Sequence, residues 1–330
     1  MGNTVQIKEL STGQTTDALY LVADRSVRAH KNKPGQYLQL QLQDRTGSIK
    51  AMYWDVPGDV AAAVHSGGVY QVQGRVENYM DDLQIRVTAI REPQGQVDWS
   101  QFLPESRKSA RELQTEFDRV IALIRDPDYQ ALVKLVREDE RLWARYAQAP
   151  AATSVHHAYL RGLIEHTLNM CRLCETLKPI YPDANLDLLL TGAIFHDAGK
   201  VYEYESGPAF NKTVYGELVG HLAIGDQMVV QMAAKVEGMA KEKVWHLRHL
   251  VLSHHGQLEF GSPVLPKTLE GLLLHFADNI DAKVGIYRQA ADSTPEGETL
   301  TDRVWSMDHR RFVLTGDGRS TPAADSGSQG

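Results

Sequence analysis

Ten of the 13 histidines in this chain fall between His156 and His275, and several stand beside or one turn from an aspartate. Imidazoles and carboxylates are the side chains that hold divalent metals, and such a concentration invites that chemistry. Each candidate ends or continues an apolar helical stripe. In GLIEHTLNMCRLCETL, His166 lies three after Leu163 and four before Met170. In ELVGHLAIGDQMVVQM, His221 shares a face with Ile224, Met228 and Met232. His254 extends the stripe Val244, Leu247, Val251, with His255 four after Val251, and Asp278 follows Leu274 by four. A single histidine on an apolar face is more often a satisfied core residue than a ligand. Imidazoles and acids from five helices gathered in one interior need cations, and the set suffices for two. With several histidines, carboxylates and no thiolate, the donors suit a six-coordinate ion better than a tetrahedral structural zinc.

The centre of the pattern is LDLLLTGAIFHDAGK, Leu186 to Lys200. Leu186, Leu189, Leu190, Ala193 and Ile194 recur at helical spacing, so His196 and Asp197 lean toward a buried face. A buried carboxylate is costly unless it is compensated. Gly199 reads as the helix stop. Lys200 places a charge just past the helix end.

The elements that must position these residues occupy the last two thirds of the chain. Before them, residues 1–95 read as strands. QYLQLQLQD alternates strictly, Leu38, Leu40 and Leu42 inward and glutamines outward. DRTG is a turn, SIKAMYWD a second strand, and VYQVQGRVE and LQIRVTAI two more. An opening strand near Tyr20 to His30 makes five, and a short helix from Asp59 to His65 falls between the third and fourth. That order is the order of an OB-fold barrel, which holds single strands by stacking bases on aromatics beside basic groups. The candidates are Trp54 or its neighbour Tyr53, Tyr79, Arg45, Lys50 and Arg86; of Tyr53 and Trp54 one must face the core.

Residues 96–150 read as a linker, marked by Pro93 and Pro104, followed by two amphipathic helices, RELQTEFDRVIALI and YQALVKLVREDERLWARY. These serve as a spacer or as the first layer of a second, all-α domain over 151–315. The Gly/Ser-rich tail, 316–330, reads as disordered. The net charge of −7 over 330 residues supplies no global basic field, so a nucleic acid would be held by local groups or ions. Cys171 and Cys174 are too few for a disulfide framework and read as core residues of a protein in a reducing cytoplasm. No apolar run has the length of a membrane helix, and no signal-peptide pattern opens the chain.

The series His166, His196-Asp197, His221, His254-His255, Asp278 resembles the HD-domain superfamily of metal-dependent phosphohydrolases, over roughly Ser154 to Val284. The whole chain is similar to the YhaM-type 3′–5′ exoribonucleases, which join an OB-fold to such a domain. PGQYLQLQLQDRTGSIKAMYW carries the likeness in the first half, and HHAYLRGLIEHTLNM, AIFHDAGKVYEYE, GHLAIG, LSHHG and HFADNIDAK carry it in the second. The chain departs at Arg161, where a second glycine is expected before Gly162. The resemblance implies one ion held by His166, His196, Asp197 and Asp278, and a second by His221, His254 and His255, with Asp197 bridging. It names Mn²⁺ first among the ions, with Fe²⁺, Co²⁺ and Mg²⁺ as the others. With that chemistry, Lys200 is placed to meet a phosphate oxygen as charge builds, the alternative being a solvated charge at a helix end; His157 donates to a substrate phosphate or orients a ligand, and Asp281 and His275 take supporting positions. The resemblance implies an enzyme releasing nucleoside 5′-monophosphates from single-stranded RNA or DNA, with no membrane partner and room for a homo-oligomer. Two other functions compete: a nucleotidase or cyclic-nucleotide phosphodiesterase regulated through the barrel, and a non-catalytic single-strand-binding protein.

Overall fold

The computed structural model describes residues 6–30, 32–79, 82–95, 97–98, 101–103, 105–152, 159–205 and 211–314. In the first unit, strict alternation along β2 (Gln36–Asp44) buries Leu38, Leu40 and Leu42 and leaves the glutamines between them partly exposed. It pairs antiparallel with β1 (Thr15–Ala29) and β3 (Gly47–Tyr53). After α1 (Gly58–Ala63) come β4 (Val69–Tyr79) and β5 (Asp82–Arg91). The strands close into a barrel in the order β1-β2-β3-β5-β4, sealed by β1–β4 pairing. The β2–β3 turn is held by the buried Asp44 carboxylate, which accepts from the backbone of Ile7, Thr46 and Gly47 and from the Thr46 hydroxyl.

The second unit begins at Ser106. Its first helices are α2 (Ala110–Leu123), entered through a Ser109–Glu112 capping box, and α3 (Pro127–Glu138), capped by Asp126. The second amphipathic run is two helices, because Asp139 leaves the helical conformation and caps α4 (Glu140–Gln148). Leu113, Phe117, Val133 and Tyr146 lie in one buried cluster with Leu163, Leu189 and Val251. These helices thus share one buried core with the helices that follow.

Around them pack α5 (Gly162–Leu177), α6 (Leu186–Phe195), α7 (Lys200–Glu203), α8 (Val214–Val219), α9 (His221–Ala233), α10 (Lys241–Ser253) and α11 (Leu269–Asp292). Every residue of α6 from Leu188 to Phe195 is buried, so this helix is the centre of the unit. Helix α11 continues unbroken through Gly285 to Asp292. Cys171 and Cys174 are buried and free. The bend after α6 is not made by a left-handed glycine. Gly199 has φ −59°, and it is needed because a Cβ there would collide with the backbone of His221 and Gly225 in α9. The glycine-like position is Arg161, at φ 68° before α5, which accounts for the glycine expected there. Among the described residues no helix is long and apolar enough to cross a membrane.

Candidate metal centre and nucleic-acid face

Five histidines from four segments of the chain meet in the second unit, and all five present the same nitrogen. His196 and His254 each turn Nδ1 to a carbonyl three residues back, Ala193 at 2.7 Å and Val251 at 2.8 Å. His255 turns Nδ1 to the Phe260 carbonyl at 2.7 Å. The other two face carboxylates: His166 Nδ1 bonds Asp281 at 2.7 Å, and His221 Nδ1 makes an ion-pair contact with Glu203 at 2.9 Å. A carbonyl or an ionised carboxylate only accepts, so each Nδ1 carries the hydrogen. Each Nε2 is then the atom offered to the interior.

The offered atoms form two groups, His166, His196 and Asp197 in one and His221, His254 and His255 in the other. His166 Nε2 stands 3.1 Å from His196 Nε2 and 3.2 Å from Asp278 Oδ1; His221 Nε2 stands 3.3 Å from His255 Nε2. Two ligands at right angles around an ion, each about 2.1 Å from it, are about 3 Å apart. Asp197 lies between the groups. Its Oδ2 is 3.2 Å from His196 Nε2, and its Oδ1 is 3.5 Å from His221 Nε2 and 3.6 Å from His254 Nε2. Buried Oδ1 has no hydrogen-bond partner, the position of an acceptor that awaits a cation. The residues present thus fit divalent ions.

Electrostatics agree with the geometry. Burial opposes ionisation of Asp197, but Lys200 and His196 outweigh it and hold the carboxyl well below its usual range. Burial also opposes charge on His166, yet its bonds with Asp278 and Asp281 push its pKa up to about 10. His254 is held well below 6.5 by burial and by His196, and His255 is lowered mainly by burial. His254 and His255 therefore offer neutral imidazoles at neutral pH.

Lys200 is not a solvated charge at a helix end. Its ammonium is buried and donates to Asp197 Oδ2 and to the Ala151 carbonyl, both at 2.6 Å. Asp281, the partner of His166, also accepts from Asn169 at 3.0 Å. His275 donates to the His254 carbonyl at 2.8 Å. His157 lies outside the described residues, as does the tail from 316. Sequence reasoning missed Glu203 and Asn169. Asn169 had a signal, one turn from His166 on the same helix; Glu203 had none that set it apart from Glu205.

On the barrel, β2 and β3 pair Gln39 with Met52 and Gln41 with Lys50, and β3 and β5 pair Met52 with Arg86. Lys50 and Arg86 are both exposed on this surface. Trp54 follows at the end of β3, exposed and 4.8 Å from the Tyr37 ring, with His30 stacked at 6.0 Å. Tyr53 packs on the core instead. Arg45, in the β2–β3 turn, is at the opposite end of β3 from Trp54, and Tyr79 is at the β4–β5 turn. Trp54, Lys50 and Arg86 thus follow one another along one face, while Arg45 and Tyr79 sit at its far end.

The model of the HD domain matches residues 163–283, and that of an OB-fold nucleic acid binding domain matches 22–93. Over 311 residues the chain is 32% identical to the 3′–5′ exoribonuclease YhaM of Geobacillus sp. (strain WCH70), covering 93% of this chain and 94% of that one. YhaM of Shouchella clausii (strain KSM-K16) is 32% identical over 309 residues, 93% and 95% of the two chains. The chain belongs to the YhaM family. The HD domain that forms the second unit is metal-dependent, and the two groups above are its candidate ligands. Among solved structures, the second OB-fold domain of replication protein A from Methanococcus maripaludis is 25% identical, covering 29% of this chain and all of that one, with a TM-score of 0.24. A replication protein A heterotrimer bound to ssDNA is 20% identical, covering 34% and 29%, with a TM-score of 0.23.

Proposed function

We propose that this protein is a divalent-metal-dependent 3′–5′ exonuclease that hydrolyses the terminal phosphodiester of single-stranded RNA, or of single-stranded DNA, to nucleoside 5′-monophosphates. The observation that carries the proposal is the set of five Nδ1-pinned histidines around one buried, half-unpartnered carboxylate. In this proposal His166, His196, Asp197 and Asp278 hold one ion and His221, His254 and His255 the other. Asp197 is shared, because its two oxygens face different groups. Bound ions of this kind supply a hydroxide at neutral pH and charge against the phosphodiester, and Mn²⁺ is the ion we expect.

The chain's own residues do the rest. Lys200 balances the charge of Asp197 and keeps Oδ2 in place; an ammonium has three donors, and the one left over is available to a phosphate oxygen. Glu203 and Asp281 hold the His221 and His166 rings at their working angles. Trp54 stacks a base, and Lys50 and Arg86 meet phosphates along the barrel face, with Arg45 and Tyr79 extending the track. His157 takes a substrate phosphate.

Purified protein with Mn²⁺ and an RNA labelled at its 5′ end is expected to give a ladder shortening from the 3′ end, with mononucleotide as product. Asp197→Asn should lower the rate ~100-fold or more and halve the bound metal measured by elemental analysis. Intact RNA with every divalent metal tried would overturn the proposal. A mononucleotide that competes as well as a short oligonucleotide would favour the small-nucleotide phosphohydrolase.

A further inference from the structure

The turn after α10 is built around the metal centre in an unexpected way. Its residues Leu258–Phe260 form one 3₁₀ turn, closed by bonds from Phe260 N to Gln257 O and from Gly261 N to Leu258 O. The turn is tied to the site, because the Phe260 carbonyl is the acceptor that fixes His255 Nδ1 at 2.7 Å. It is flanked by two positive-φ glycines, Gly256 at 77° and Gly261 at 91°. Gly256 lets the chain pass over His275, whose ring leaves no room for a Cβ. Yet the two large apolar side chains of the turn lie outward, Leu258 at 61% exposure and Phe260 at 59%. A backbone clamp on a candidate metal ligand and a ring left in water belong here to one residue. One imidazole ring separates the Phe260 carbonyl from His255 Nε2, so Phe260 stands beside the candidate metal centre.

We propose that Phe260, flanked by Leu258, is the platform on which the base of the 3′-terminal nucleotide stacks while its phosphodiester lies at the metal centre. The proposal rests on the exonuclease function above and adds where the last base is held. The turn carries no cation, only Glu259, so recognition is by the π-face and is indifferent to base identity. An enzyme that shortens a strand stepwise needs that tolerance, since every residue becomes the last one in turn. Because the same residue's carbonyl sets His255, a seated base also steadies the segment that orients a ligand.

Two measurements test this on the full chain. Steady-state kinetics with Mn²⁺ compare an RNA with an ordinary 3′ end and one whose last nucleotide lacks its base. Phe260→Ala should raise KM for the ordinary end roughly five- to hundredfold, the range of one base stack. It should change KM for the abasic end by less than about twofold. Phe260→Trp should restore both, and bound Mn²⁺ should be the same in all three proteins. The second measurement is equilibrium binding of an RNA ending in 2-aminopurine behind a non-hydrolysable linkage. Its fluorescence should be quenched by the unaltered protein and by Phe260→Trp, but not by Phe260→Ala. Equal KM increases on both ends, or quenching that survives Phe260→Ala, would overturn the platform while leaving the exonuclease in place. An unaltered protein that degrades no RNA and quenches no 3′ label would remove both together.

Discussion

Glu203 supplies no ligand atom to either group, yet it decides which way the His221 ring faces. Buried and held below its usual pKa (burial opposing, His221 and Lys212 outweighing), it stays ionised and keeps the hydrogen on Nδ1. Glu203→Gln should weaken Mn²⁺ binding 10- to 100-fold, with an unchanged circular-dichroism spectrum, as titration of chelator-treated protein will show. The histidines also fix how metal-stripped protein responds to pH. His254 and His255 are lowered in the folded chain, so unfolding lets them take up protons near their ordinary pKa of 6.5, and acidification below that value destabilises the fold. His166 works in the opposite sense. Asp278 and Asp281 keep its proton up to about pH 10, so its contribution is full below 6.5 and is lost as pH rises toward 10. From these groups, the melting temperature of stripped protein should peak near pH 6.5 and fall on both sides. Saturating Mn²⁺ should abolish the alkaline fall, because the ion replaces the His166 Nε2 proton. A fall that persists unchanged with Mn²⁺ would contradict this assignment of the site.

At the scale of elements, the decisive contact is between α7 and α9. Gly199 lets the two backbones touch, which brings Lys200 and Glu203 of one helix to Asp197 and to His221 at the head of the other. Gly199→Ala should cost about 1–3 kcal/mol in denaturant unfolding and should release metal, because a clash with backbone cannot be relieved by a rotamer. Its importance was visible in the sequence but its reason was not, since a glycine after an apolar run looks the same whether it stops a helix or admits a neighbour. The barrel strands were legible because alternation is a local property: Leu38, Leu40 and Leu42 announce their face with no help from elsewhere. The clustered histidines were legible for the same reason, each marked by the apolar stripe that it ends or continues. Asp139 was not, since a cap between two amphipathic stretches keeps the period nearly in phase. Glu203 was not either, because its partner His221 lies 18 residues on and in another helix.

At the scale of the molecule, two hydrophobic cores share no residue, one inside the barrel and one around α6. Substitutions on the barrel face should therefore alter RNA affinity without touching metal content. Trp54→Ala should weaken single-strand binding by roughly five- to hundredfold. Replacing Lys50 and Arg86 with alanine should flatten the salt dependence, lowering the slope of log K against log salt by about 1.4 for two lost phosphate contacts. With a net charge of −7, the chain has no general attraction for RNA to mask these losses. His196 and His254 take their orientation from a peptide oxygen of their own helix, one turn back, whereas His166 and His221 borrow theirs from a distant side chain. The first arrangement is rewritten only by unwinding the helix, and the second by a single codon. Anyone wishing to change which ion the enzyme prefers should begin at Asp281 and Glu203, where the preference is open to editing.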